Sequence, residues 1–204
     1  MKSVVHLSGG FDSAAAALHE LDNGVECVGF FADYGQPYLV QEQDSALKLH
    51  GYFSGKYKNW LGLRAVRTSL CVESSTDNFA YVPMRNLVLV SLSVNVAVAL
   101  GIENITIGSK GKGEQFVDCS QEFYKALEDA INLGIEPNQS RITLRRPLAD
   151  MTKVDVLQKL VNAGIDLDSL WSCYNSGTKP CGTCAHCQVI SAARKRIDTH
   201  PPGC

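Results

Sequence analysis

The chain has 204 residues, 45% hydrophobic and 20% charged, with a formal net charge of −2. That balance fits one soluble globular domain with a substantial core and excludes disordered or fibrous classes. Near-neutral charge leaves no electrostatic footprint for a large nucleic acid. The longest apolar helix candidate, Leu87–Leu100, falls short of the ~20 residues a membrane span needs.

In chain order, Val4–Leu7 reads as a strand, and Ser8, Gly9, Gly10, Phe11, Asp12 and Ser13 follow it directly. An alanine-rich helix then runs over Ser13–Asn23 and stops at Gly24. Val25–Ala32 is a continuous apolar run, as expected for a strand buried on both faces. A loop over Asp33–Pro37 leads into a helix at Val40–His50, and Tyr52–Leu63 predicts a third strand. A long helix over Asn86–Leu100 ends at Gly101. Asn104–Gly108 is a fourth strand, Gln121–Leu133 a helix closed by Gly134, and Arg141–Arg145 a short strand. Thr152–Ala163 is a helix closed by Gly164, with Thr152 and Asp155 spaced as a capping box. This β-α alternation implies a parallel sheet with helices on both faces. Ligands in such sheets sit at the C-terminal ends of strands, where the loops after Leu7, Ala32 and Ile107 fall.

The Ser8–Ser13 turn carries the first chemical signal. A strand ending in two glycines before a helix aims unpaired N-terminal amides and two hydroxyls at one point, a ready anion site. The glycines let the backbone approach a phosphate closely. No GxxxxGK[ST] occurs, so this is not a Walker A loop. The bland alternative is an ordinary strand-to-helix turn capped by Ser or Asp.

Cys173, Cys181, Cys184 and Cys187 carry the second signal. Three cysteines at two-residue spacing form a knuckle and Cys173 closes a tetrahedron, which describes a closed structural zinc site. Disulfides or free thiols are the alternatives. Without a leading signal segment the expected compartment is cytoplasmic and reducing, which disfavours disulfides. Cys27, Cys71, Cys119 and Cys204 are scattered and read as buried or free thiols, and His186 as a bystander inside the knuckle. The basic clusters Arg141, Arg145, Arg146 and Arg194–Arg196 are too short for an RNA-binding stripe.

These motifs together resemble the 7-cyano-7-deazaguanine synthases, a branch of the PP-loop ATP pyrophosphatases. Ser8–Ser13 is similar to the superfamily's phosphate loop. Narrower matches are Ala32–Gln36, Val82–Asn86, Asp118-Cys119 with Glu122-Phe123, Arg146–Leu148, Thr152-Lys153, Trp171–Tyr174 and the four cysteines. One segment departs. Gly108–Val117 is about a residue shorter than the family's usual stretch and brings Lys110 and Lys112 in place of aromatic and amide groups. Either a surface loop has drifted, or the pocket reads a different acceptor, or the lysines hold phosphates.

The resemblance implies a Rossmann-like α/β fold of the adenine nucleotide alpha hydrolase type, with five parallel strands and a C-terminal zinc knuckle. Residues 1–165 would form the ATP-binding domain, and 166–204 a four-cysteine zinc-binding segment packed on it. The implied reaction turns 7-carboxy-7-deazaguanine, ATP and ammonia into the nitrile through adenylated intermediates. Stopping at the amide, or joining the activated deazapurine to a macromolecule, are the alternatives. A tRNA thiolase or a non-catalytic nucleotide-binding module are the competitors from other classes. Ser8, Gly9, Gly10, Phe11, Asp12, Ser13 and Asp33 would bind ATP, Asp33 by shaping the adenine-side loop, with Asp12 also holding Mg²⁺. Arg85 would neutralise a phosphate or the substrate carboxylate, or form a helix-start salt bridge; Asp118 would accept from a guanine-like edge or cap a helix, and Lys153 reach a phosphate or stay solvated. Phe31, Tyr34 and Trp171 stack on a base or belong to the core. A homodimer is expected, with no nucleic-acid or membrane partner.

Overall fold

The computed structural model describes residues 1–70, 82–110 and 116–199. Within them five parallel strands form one sheet: β1 (Lys2–His6), β2 (Glu26–Asp33), β3 (Trp60–Arg67), β4 (Asn104–Thr106) and β5 (Thr143–Arg145), in the order β3-β2-β1-β4-β5. The helices are α1 (Phe11–Asp22), α2 (Leu39–Lys56), α3 (Arg85–Leu100), α4 (Gln121–Gly134), α5 (Lys153–Ala163) and α6 (Ala185–Thr199). Val5 and Leu7 pack with α1, α2, α5 and α6 on one face, whereas Val4, Phe30 and Ile105 pack with α3 and α4 on the other. Both faces are covered, as the near-continuous apolar strands require.

The alanine run explains how closely the layers approach. Ala14, Ala15, Ala16 and Ala17 are all fully buried, so the middle of α1 is enclosed by sheet and helices. One carboxylate enters this core. Glu20 of α1 accepts two hydrogen bonds from Arg145 (2.9 and 3.1 Å) and one from Thr106 (3.2 Å), and Thr106 in turn bonds Ser3 at 2.7 Å. A buried charge survives only with such compensation.

The third strand differs from its expected span. Tyr52–Lys56 forms the last turns of α2, and the strand begins at Trp60. Ala46, Leu49 and Phe53 recur at helical spacing and are buried. Phe53 sits 5.1 Å from Trp60 and 6.1 Å from Tyr57, ring centre to ring centre. Burial on one helix face outweighs the strand preference of these aromatics. The local stop signals hold at Gly101 and Gly164, both left-handed, and Thr152 and Asp155 form the reciprocal capping box. Gly134 instead lies inside the last turn of α4, and Ile135 caps it.

Adjacent β1 and β4 send their chains to opposite faces of the sheet, so a crevice opens between their C-terminal ends. The Ser8–Ser13 loop and Gly108 meet there. A Cβ on Gly108 would stand 2.8 Å from the carbonyl of Asp12.

Candidate active site and cysteine knuckle

The loop after β1 is organised by its own hydroxyls. Ser13 Oγ donates to the Gly10 carbonyl at 2.9 Å, Ser8 Oγ lies 3.2 Å from Ser13 Oγ, and Gly10 N donates to Ser8 Oγ at 3.4 Å. Gly10 is the N-cap of α1 and supplies no side-chain acceptor, so the first-turn amides remain available to an anion. Gly9 has a different task. Its φ is +86°, and a Cβ there would lie 2.6 Å from the Glu42 carbonyl and 2.8 Å from Ser45. Gly9 lets α2 close onto the loop, whereas Gly10 faces the open side.

That side is a cavity of about 440 Å³. Ser8, Gly10, Phe11, Asp12 and Ser13 line it, joined by Arg85 of α3, Lys110 after β4 and Lys153 of α5. Asp12 and Lys153, 141 positions apart, are bonded at 2.6 and 2.7 Å through both carboxylate oxygens. Apolar walls come from Phe30, Phe116, Tyr124 and Trp171. A larger open trough of about 590 Å³ lies near Asp22, Lys56 and Lys159, away from the Ser8 loop, and gathers none of the sequence motifs.

Three residues expected at the site do not line this cavity. Gly9 packs on α2, as described. Asp33 ends β2, where it accepts from Arg67 Nε at 2.8 Å and from Gly35 N at 3.3 Å, so it shapes its own loop. Asp118 is buried in the turn Val117–Cys119. Ser120 rather than Asp118 caps α4, accepting from Phe123 N at 3.1 Å. Of the aromatics, Tyr34 and Trp171 reach the cavity, while Phe31 is core. In the departing segment Gly108, Ser109, Lys110 and Phe116 face the cavity, and Lys112 lies outside the described residues.

Sequence reasoning missed a polar cluster at one end of the cavity. Gln36 accepts from Tyr34 N at 2.9 Å and donates to Ala32 O at 3.1 Å and to Glu42 Oε2 at 2.8 Å. Burial pushes the Glu42 carboxyl up to about 7, against the pull of the Gln36 hydrogen bond and the Arg85 charge. Burial also works to lower the Arg85 pKa, but Tyr34, Tyr38 and Glu42 outweigh it and hold the guanidinium charged. Met84, just before Arg85, adopts the left-handed conformation (φ 56°) that side chains resist. The one available signal was an acid in the first turn of a helix following a strand-end loop.

The four cysteines converge as expected. Their sulfurs all lie within 4.8 Å of one another. Cys173 Sγ accepts from Asn175 N and Cys181 N (both 3.4 Å), Cys181 Sγ from Cys184 N (3.3 Å), and Cys184 Sγ from Cys187 N (3.4 Å). Hydrogen bonds led by Thr183 pull Cys181 down to about 5, while burial pushes Cys187 up to about 12. Such a set fits a thiophilic cation, which would hold all four as thiolates. His186 belongs to the cavity wall instead, 3.3 Å from Tyr174 Oη. Burial, aided by the charges of Lys153 and Lys110 and opposed by Asp12, lowers its pKa to about 4.

The knuckle is stitched to the phosphate loop. Ser45 Oγ lies 2.8 Å from both the Gly9 and Ser169 carbonyls and accepts from Trp171 N at 3.0 Å. Trp171 Nε1 donates to the Cys173 carbonyl at 3.0 Å.

Residues 2–197 match the family model described as queuosine biosynthesis protein QueC. The chain belongs to that family. A 7-cyano-7-deazaguanine synthase of Persephonella marina is 34% identical, over 98% of this chain and 94% of its own length. One from Prochlorococcus marinus (strain NATL2A) is 30% identical over 96% and 93%. QueC membership makes this an enzyme of queuosine biosynthesis. Among solved structures, a 4-thiouridine synthetase in complex with RNA and ATP superposes with a TM-score of 0.58 at 18% identity, covering 97% of this chain and 50% of its own. An NMN synthetase from Francisella tularensis gives 0.51 at 15%, covering 97% and 85%. At such identities the likeness is one of fold. Among the described residues no helix is long and apolar enough to cross a membrane.

Proposed function

We propose that the chain converts 7-carboxy-7-deazaguanine and ammonia to 7-cyano-7-deazaguanine, using ATP twice. The observation that carries this reading is the convergence of the Ser8–Ser13 loop, Arg85, Lys110 and Lys153 on one cavity, in a chain whose relatives bear that name. A carboxylate is a poor electrophile. Its oxygen attacks the α-phosphorus of ATP, the bond to pyrophosphate breaks, and a mixed anhydride forms. Ammonia adds to the acyl carbon and AMP leaves, giving the amide. Adenylation of the amide oxygen by a second ATP allows AMP and a proton to depart, leaving the nitrile.

No protein nucleophile is needed. The amides of α1 with Ser8 and Ser13 hold the departing pyrophosphate, and positioning supplies much of the rate. Lys153 leaves Asp12 for a phosphate oxygen when nucleotide enters. Asp12 would then be free to hold Mg²⁺, which would supply charge neutralisation for the phosphates. Arg85 takes either a phosphate or the substrate, and Asp33 acts only through its loop. Asp118, off the cavity wall, has no direct contact in this reading.

The cysteines hold a structural zinc, and residues 166–199, the described part of the 166–204 segment, act as a unit packed on the nucleotide domain. Metal analysis of the purified protein should return about one zinc per chain with little iron. The half-buried apolar side of α3 suits a homodimer, and a cytoplasmic location completes the picture.

Mass spectrometry after incubation with the carboxy-deazaguanine, ATP, Mg²⁺ and ammonium tests the reaction. The nitrile and two AMP per product are expected. Accumulation of the amide with one AMP would support the second reading, an amide-forming enzyme. That reading is favoured by Lys110 and Phe116 of the departing segment facing the cavity. Nucleotide left untouched by every acceptor would overturn both.

A further inference from the structure

We propose that Glu42, with Arg85 beside it, reads the donor–donor–acceptor edge of a guanine-type ring at the end of the cavity formed by α2 and α3. This deepens the function proposed above and rests on it. Two carboxylates stand among the described residues of the cavity wall, Asp12 and Glu42. Asp12 is neutralised by Lys153 at 2.6 Å. Glu42 receives a single hydrogen bond from the described residues, 2.8 Å from the Gln36 amide. A neutral amide on Oε2 leaves the second carboxylate oxygen for something else.

The cluster is preorganised. Both hydrogens of the Gln36 amide nitrogen are committed, one to Ala32 O and one to Glu42, and its oxygen is fixed by Tyr34 N. The carboxylate is therefore held in register with the C-terminal end of β2. Arg85 approaches from α3 and lines the same cavity as Tyr34. Tyr34 Oη and Tyr38 Oη lie 3.4 Å apart, and both tyrosines line the cavity. Cation and carboxylate share one wall, and among the described residues no ion pair joins them.

A guanine-type lactam offers two parallel N–H groups, from the ring nitrogen and the 2-amino group, beside a carbonyl oxygen. Glu42 can accept the first two and Arg85 can donate to the third. An adenine-type edge sets a ring lone pair against the carboxylate instead, so the arrangement rejects the wrong base as well as binding the right one.

The test compares wild type with Glu42→Gln on 7-carboxy-7-deazaguanine and on its analogue lacking the 2-amino group, reading kcat/KM. Wild type should prefer the amino-bearing compound by about 30-fold, the scale of one hydrogen bond to a charged group. Glu42→Gln should reduce that preference to about threefold while ATP affinity stays unchanged. Gln36→Leu, which keeps the carboxylate but releases it, should lower the preference at least about tenfold, and it serves if Glu42→Gln does not fold. A wild-type preference retained in both variants, or a loss confined to ATP affinity, overturns the proposal. If wild type turns over neither acid, the parent reaction is wrong. Calorimetry with 7-deazaguanine against 7-deazahypoxanthine then still decides whether the edge is read.

Discussion

Gly9 and Gly10 are adjacent, yet they answer to different constraints. At Gly9 a side chain would meet both an unfavourable backbone angle and the α2 backbone 2.6 Å away. We expect Gly9→Ala to lower stability in urea by about 2–3 kcal/mol. Gly10 has ordinary angles and nothing nearer a Cβ than 3.4 Å, so Gly10→Ala should fold normally and lose nucleotide turnover instead. Read from sequence, the pair has one purpose, phosphate approach, because the α2 contact is a tertiary fact. His6 supplies a pH signature. Its imidazole bonds Ser93 Oγ at 2.8 Å and lies 5.0 Å from the Phe30 ring, and burial lowers its pKa from 6.5 to about 4. The unfolded chain binds more protons between those values, so stability should fall as pH drops from 6.5 towards 4, by up to about 3 kcal/mol. Urea midpoints taken across that range should show a shallower slope in His6→Asn.

Among the elements, α5 was legible and α2 only half so. Thr152, Asp155 and Gly164 write both ends of α5 into neighbouring residues. The end of α2 carries no such punctuation, and Tyr52 and Phe53 look like strand residues until their burial is known. The Gln36–Glu42 cluster was illegible for the same reason. Gln36 lies in a loop and Glu42 on a helix, and only the fold presses them together at 2.8 Å. The seam between α2 and the C-terminal segment gives a direct test. Ser45→Ala removes a hydroxyl lodged against two carbonyls and one amide, and should cost about 2 kcal/mol. Trp171 N also donates to Gly9 O at 3.2 Å, so the segment should stay docked, visible as unchanged tryptophan fluorescence.

For the whole molecule, parallel order with the site loops at the C-terminal strand ends followed from the alternation of strand and helix, whereas the crevice between β1 and β4 needed the strand order. The partnership of Asp12 with Lys153 did not, since a spacing of 141 residues carries no periodic signal. Lys153→Met leaves Asp12 without its counter-charge and removes a cation from the phosphates. We expect a fall of about 10²–10³ in kcat, measured as AMP release. Asp12→Asn with Lys153→Met should regain the stability lost by the single change but none of the turnover, which separates the structural share of the pair from the chemical one.

Ser45 joins the carbonyl of Gly9 to the strand of chain that leads through Trp171 into the cysteines. Through that strut, order gained at one end is felt at the other, and thermodynamic reciprocity makes the exchange symmetric. Bound nucleotide should therefore raise the affinity of the cysteine knuckle for a thiophilic ion, read at equilibrium against a competing chelator. An ion-loaded knuckle should tighten nucleotide by the same factor, and Ser45→Ala should weaken both together.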